Sequence, residues 1–275
     1  MRAAVVQMHS TADKQGNVAT AVELSEKAAG EGARFVLLPE YMVYLGPEDR
    51  YPSVAETIPG PTTEALGEVA RRHELFVCIG TVIEPAEDGK FFNTSVLIDP
   101  AGRVAASYRK IHLFDIDVPG QVTDTESAYI SAGDRPVVVQ LPEFTLGMSI
   151  CFDVRFPELY RALALQGATV LTVPAAFSVP TGRAHWEVLL RARAIENHAY
   201  VLAAGQYGTT AEGISTYGHS MIVDPWGTVL EEVAEGDAVL VATIDVEEAT
   251  RRRRQIPVLN VRRPDLYDHV TRVAV

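Results

Sequence analysis

Two hydrophobic periods run through this chain, and they switch at short intervals. Residues 2–8 read as a strand. From Asn17 to Ala29 the apolar positions Val18, Ala21, Val22, Ala28 and Ala29 recur at helical spacing. Arg34–Leu38 is a short apolar run closed by Pro39, the pattern of a buried strand. Further helices are predicted from Pro61 to about His73, from Pro157 through Leu165 and over Ala184–His198. Proline suits the first turn of the first two, where its missing N–H costs nothing. Strands are predicted over Leu75–Val82, Asn93–Ile98, toward Ser107, and over Val137–Leu141, Thr145–Ile150, Thr169–Val173, Tyr200–Ala204, Ser220–Val223 and Val239–Ile244. A last short helix, Val246–Arg254, precedes an irregular tail.

The pattern repeats. Gly32-Ala-Arg-Phe-Val-Leu-Leu-Pro39 matches Gly167-Ala-Thr-Val-Leu-Thr-Val-Pro174, and Ser95-Val-Leu-Ile-Asp-Pro-Ala-Gly102 matches Ser220-Met-Ile-Val-Asp-Pro-Trp-Gly227. D-P-x-G is a common turn, so either match alone is weak. Two matches in the same order and at similar offsets favour a duplicated core. Two mixed sheets, each covered by helices on one face, would then pack together. The expected fold is an α/β four-layer αββα sandwich with internal pseudo-two-fold duplication. No linker rich in Gly, Ser or Pro interrupts the chain, so residues 1–275 are expected to form one domain.

Composition narrows the function classes. With 275 residues, 47% of them hydrophobic, the chain can bury a full core. Its 22% charged residues argue against disorder. A formal charge of -12 repels phosphate backbones and speaks against nucleic-acid binding. It leaves room for a small anionic substrate, because a pocket can differ in sign from the surface. No stretch approaches the ~18 apolar residues of a membrane span. Met1–Ser10 reads as a strand rather than an export signal, so a reducing cytoplasm is expected, with Cys78 and Cys151 as separate free thiols. Neither a Gly-x-Gly-x-x-Gly nor a P-loop pattern is present, so no cofactor is expected. No histidine spacing suggests a metal site. Gly147-Met-Ser-Ile-Cys151 lacks the closing glycine of a serine-hydrolase elbow.

Candidate chemistry gathers at strand ends. Cys151 follows the strand Thr145–Ile150 and precedes the helix near Pro157, where a bend aims free N–H groups into the same space. Position alone leaves it either a nucleophile or a buried structural thiol. Cys78, mid-strand among apolar neighbours, is expected to be inert. A thiol needs a base or a nearby cation to react at neutral pH. No histidine pairs clearly with Cys151, although His112 and His185 have the most distinctive flanks. Glu40 directly follows Val36-Leu-Leu-Pro39, an unusual place for a charge unless it is paired or functional. The alternative is a solvated loop glutamate. Lys110 ends Ser107-Tyr-Arg-Lys110 just beyond a strand, where an ammonium would stabilise a thiolate or an oxyanion; the alternative is a surface lysine. Arg251–Arg254 reads either as a basic interaction patch or as a solvated helix end.

Together, Leu38-Pro-Glu40, Tyr108-Arg-Lys110-Ile-His112-Leu-Phe-Asp115 and Ile150-Cys-Phe-Asp-Val-Arg-Phe-Pro-Glu158 resemble the glutamate, lysine and cysteine motifs of the nitrilase superfamily of carbon–nitrogen hydrolases. His185-Trp-Glu-Val-Leu-Leu-Arg-Ala-Arg-Ala-Ile-Glu196, Tyr217-Gly-His-Ser220 and Arg262-Arg-Pro-Asp-Leu-Tyr267 look like its nitrilase-like amidase branch, which includes deaminated glutathione amidase and omega-amidase. Phe152-Asp153 stands where true nitrilases usually carry Trp-Glu, which favours amides over nitriles. The resemblance implies Glu40 as general base, Cys151 as nucleophile, and Lys110 with the Phe152 N–H as oxyanion donors. Glu126 matches a second glutamate of the branch, or is a solvated turn. The resemblance further implies a small carboxylate-bearing amide as substrate, with Arg155 as the pocket cation or as a structural partner of Glu158. Tyr44, Phe177 and Thr181 are expected to line the pocket. A homodimer or higher homo-oligomer is implied, with the tail from about residue 255 reaching the dimer partner. The remaining alternative is an inactive scaffold of the same fold.

Overall fold

The computed structural model describes residues 1–267, 269 and 272. The first half runs β1 (Arg2–Gln7), α1 (Lys14–Gly30), β2 (Phe35–Leu37), α2 (Tyr51–Val54), α3 (Pro61–His73), β3 (Phe76–Pro85), β4 (Phe91–Ile98) and β5 (Val104–Arg109). A hairpin, β6 (Asp115–Val118) and β7 (Val122–Thr125), and a strand, β8 (Val137–Gln140), follow. The second half runs β9 (Thr145–Met148), α4 (Pro157–Leu165), β10 (Val170–Thr172), α5 (Val179–Asn197), β11 (Tyr200–Ala203), a hairpin of β12 (Tyr207–Thr209) and β13 (Ser215–Tyr217), β14 (Ser220–Val223) and β15 (Val229–Val233). β16 (Ala238–Thr243), α6 (Val246–Gln255) and α7 (Pro264–Tyr267) close the chain.

The strands form two six-stranded sheets, ordered β16-β1-β2-β3-β4-β5 and β15-β14-β11-β10-β9-β8. In each, three parallel strands lead into two antiparallel ones: β1, β2, β3 then β4, β5, and β9, β10, β11 then β14, β15. The duplication therefore extends well beyond the two matched segments. It also includes an exchange. β8 follows the first half yet pairs antiparallel with β9, and β16 follows the second half yet pairs antiparallel with β1. Neither half completes its own sheet. The two D-P-x-G turns are equivalent down to their hydrogen bonds. Gly102 N–H donates to the Asp99 carbonyl at 2.8 Å, and Gly227 N–H to that of Asp224 at 2.9 Å. Both glycines hold positive φ, +77° and +86°, which other residues resist.

Period-two alternation sorts the side chains into layers. Ala3, Val5, Phe35, Leu37, Cys78 and Leu97 face the second sheet. Their neighbours Ala4, Val6, Val36, Leu38, Val77 and Ile79 pack under α1 and α3. Trp186 and Leu190 of α5 and Leu159 and Leu163 of α4 cover the other side. The order is helices, sheet, sheet, helices, as the pattern predicted.

Several boundaries move for local reasons. α1 begins ahead of Asn17 because the Asp13 carboxylate accepts the N–H groups of Gln15 and Gly16, both at 3.1 Å. α5 begins at Val179 rather than Ala184, with Pro180 in its first turn. The two hairpins were not predicted: their exposed polar residues carry little apolar pattern. Among the described residues no helix is long and apolar enough to cross a membrane.

Candidate active site

Three strand ends converge at one rim of the sandwich. β2 runs into Pro39 and Glu40, β5 into Lys110, and β9 into Cys151. Behind Glu40, Gly80 of β3 lies against the Leu38–Pro39 backbone so tightly that an added Cβ would stand 1.9 Å from the Pro39 carbonyl oxygen. Only glycine permits that approach. Cys151 sits at φ +45°, a conformation unusual for a residue with a side chain, and opens a 3₁₀ turn over Cys151–Arg155. Its own N–H is used by the Pro174 carbonyl at 2.8 Å. The next N–H, that of Phe152, has no hydrogen-bond partner among the described residues.

Glu40, Lys110 and Cys151 line one cavity of about 520 Å³. All three are nearly inaccessible, at 1%, 2% and 6% exposure, so they interact in a poor dielectric. Lys110 Nζ donates to Glu40 Oε1 at 3.0 Å and to Glu126 Oε1 and Oε2 at 3.0 and 2.9 Å. Glu40 Oε2 accepts the Ala176 N–H at 2.7 Å. Glu126 also accepts the Tyr41 hydroxyl at 3.0 Å and the Phe114 N–H at 2.6 Å. It is 2% exposed, and the solvated-turn alternative does not apply.

Charge follows from this packing. Burial alone would lower the Lys110 ammonium, but the carboxylates of Glu126 and Glu40 outweigh it and hold it well above its ordinary value. Lys110 is therefore a fixed cation rather than a proton donor. The Cys151 thiol is pushed well up, by burial first and then by the negative charge of Glu40, against the pull of Lys110. At rest it is a neutral thiol, so its reaction needs a base at the moment of attack.

A model of the family described as Carbon-nitrogen hydrolase matches residues 2–254. The chain is 40% identical to omega-amidase NIT2 of Mus musculus over 267 residues, covering 97% of this chain and 96% of the relative. It is 44% identical to the deaminated glutathione amidase of Synechocystis sp. over 264 residues, covering 94% and 97%. Among solved structures, it matches a mutant of the amidase from Nesterenkonia sp. AN1 with TM-score 0.82 and 26% identity, covering 98% of this chain and 95% of that one. That neighbour carries the acetamide moiety of fluoroacetamide covalently on its active-site cysteine. This chain belongs to the carbon–nitrogen hydrolase family.

The rest of this carbon–nitrogen hydrolase site departs from expectation in places. Phe177 lines the cavity, together with Tyr41, Phe114 and Tyr129. Tyr44 does not. The chain reverses at Tyr41, whose φ is +55°, and Tyr44 turns into the core, donating to the Pro47 carbonyl at 3.0 Å and packing edge-on to Tyr51. Thr181 does not line it either. α5 starts early enough to take Thr181 into its first turn, where its hydroxyl pairs with that of Ser178 at 2.7 Å. Arg155 lies outside the lining, its guanidinium over the rings of Phe152 and Phe177 at 5.5 and 5.2 Å, donating to His185 Nδ1 at 3.2 Å. Among the described residues it has no acidic partner, Glu158 included. His112 is stacked on Phe156 at 3.6 Å and bonded to Asp153, away from the cavity. Among the described residues no cluster of His, Cys, Asp and Glu is arranged to hold a metal ion.

The sequence reading missed Tyr41 and Asn93. Asn93 Nδ2 donates to Glu40 Oε1 at 2.9 Å and to Glu126 Oε1 at 3.3 Å. The polar run Asn93-Thr-Ser95 inside a strand that is otherwise apolar and largely buried is the signal that could have found it.

Proposed function

We propose that this protein is an amidase that hydrolyses a small carboxylate-bearing amide through a thioester on Cys151. One observation carries the reading: a buried neutral thiol shares its cavity with a carboxylate and with a lysine held as a cation. Glu40 accepts the thiol proton as sulfur attacks the amide carbonyl. The oxyanion forms against Lys110 Nζ and the Phe152 N–H, and each such donor contributes about 3 kcal/mol to the transition state. The proton held by Glu40 passes to the departing nitrogen, and ammonia leaves. Glu40 then takes a proton from water as it attacks the thioester; that proton returns to sulfur and the acid departs. Glu126 holds Lys110 and does not touch the reacting atoms. Arg155, outside the lining but stacked on the lining residue Phe177 and without an acidic partner among the described residues, supports the reading of a carboxylate on the substrate.

Deaminated glutathione is favoured as the substrate type on the segments around His185 and Tyr217, with α-ketoglutaramate second. Ammonia release from both, and from simple aliphatic amides, ranks them, with Cys151→Ala as the blank. The blank should lose activity by at least about 10³-fold; full activity in it would end the cysteine mechanism.

The same reading places residues 1–275 in one hydrolase unit, in a reducing compartment that keeps Cys78 and Cys151 free. We also infer a homodimer. Leu165, Val188 and Ile195 stand exposed on α4 and α5, and Val261, Leu266 and Tyr267 are exposed on the tail beyond residue 255. Positions 268, 270, 271 and 273–275 of that tail lie outside the described residues. Light scattering should give twice the 29.9 kDa chain mass, and a monomer at micromolar concentration rules the dimer out.

A further inference from the structure

Asn93 touches three of the polar residues that meet at the cavity floor. Its backbone carbonyl accepts the Lys110 N–H at 2.9 Å. Its side-chain nitrogen bonds the same two oxygens, Glu40 Oε1 and Glu126 Oε1, that take the Lys110 ammonium. Carboxylates can only accept, so the amide must turn its nitrogen to them. The amide oxygen is thereby stranded: Asn93 Oδ1 is buried and has no partner among the described residues. A buried orphan acceptor is costly, and native chains retain few of them. Here the orphan follows directly from serving the two carboxylates.

Charge gives the reason. Two carboxylates share one ammonium, which leaves a net negative charge in a buried space. Like charges so placed tend to capture a proton. A protonated Glu40 could not take the proton of Cys151. We propose that Asn93 is a positioning residue which, by donating one N–H to each carboxylate, keeps Glu40 ionised and aimed for the thiol. The proposal rests on the amidase reading for its purpose, but not for its test. The groups facing Glu40 are the Lys110 ammonium, the Glu126 carboxylate, the Cys151 thiol, the hydroxyls of Tyr41 and Tyr51, and the Ala176 N–H, with Arg155 beyond the thiol. None of the others bonds both carboxylates except Lys110.

The test compares wild type, Asn93→Ala and Asn93→Ser as full chains. Two rates are followed against pH: alkylation of Cys151 by iodoacetamide, read by peptide mass spectrometry, and ammonia release from the best amide. Alkylation needs no knowledge of the natural substrate. In Asn93→Ala the acidic limb of both profiles should move to higher pH, so the rate below the limb falls severalfold while the plateau above it is kept. KM for a neutral amide should stay within about twofold, with the loss in kcat. Asn93→Ser keeps one donor and should fall between. Should the alanine variant fail to fold, the serine variant is judged by the same limb. Limbs that overlay wild type, or rates lowered equally at every pH, would overturn the proposal. If wild type releases ammonia from no amide while the alkylation limb still moves, the amidase reading fails and the role of Asn93 stands.

Discussion

Asp153 shows how much one buried carboxylate can organise. It is fully buried and accepts four donors: Tyr108 hydroxyl at 2.7 Å, Ile150 N–H at 2.8 Å, His112 Nδ1 at 2.7 Å and His112 N–H at 3.2 Å. Three come from Tyr108 and His112, on the segment that carries Lys110, and Ile150 directly precedes Cys151. Asp153 thus fastens the strand that leads to Lys110 to the turn that opens at Cys151. In Asp153→Asn, an amide nitrogen would face donors where an oxygen now accepts. That leaves at least one buried donor unpaired, at about 1–3 kcal/mol each. We expect a loss of about 3 kcal/mol in urea unfolding, and a fall in kcat larger than any change in KM. Wild-type stability in this variant would show that the carboxylate is not the fastener.

At the scale of elements, legibility followed burial. β2, β10 and β14 were readable because their residues are buried throughout, so apolar runs report them directly. α3 and α4 were readable because Pro61 and Pro157 mark their first turns. The β6–β7 and β12–β13 hairpins were not, because each forms its own two-stranded sheet outside the two large ones, and most of their residues are exposed or half-buried rather than apolar core. They matter all the same, since Val122, Asp124 and Thr216 from them line the cavity. Glu40, Lys110 and Cys151 could be found because each ends a strand, and strand ends of one sandwich rim meet. Tyr44 and Thr181 followed the same rule and failed it. A rule about strand ends says nothing of where the chain turns next, and Tyr41 at positive φ and the early start of α5 decide that. Asn93 escaped because it opens a short polar run, Asn93-Thr-Ser95, in which nothing local marks one residue from the next, and its partners are 53 and 33 residues away.

The whole molecule stores protons in its core. Burial pushes the Cys78 thiol up to about 12 from its ordinary 9.0, with the Ser95 hydroxyl acting against it. Burial also raises the hydroxyls of Tyr51, Tyr108 and Tyr160 beyond the usual tyrosine range. Lys110 is raised too, by Glu126 and Glu40 against its burial. For all of these the folded value lies above the unfolded one. The folded state keeps protons that the unfolded chain releases, so their contribution is complete below about pH 9 and is lost as pH rises. For Cys78 the gap from 9.0 to about 12 corresponds to about 4 kcal/mol across that window. A formal charge of -12, growing more negative in base, acts in the same direction. Unfolding free energy should therefore drop steeply between about pH 9 and 12, and more gently in Cys78→Ala. Denaturant titrations across that range measure both slopes. Equal slopes in the two proteins would mean that the thiol ionises no less readily in the core than in the unfolded chain, against the raised value that its burial implies.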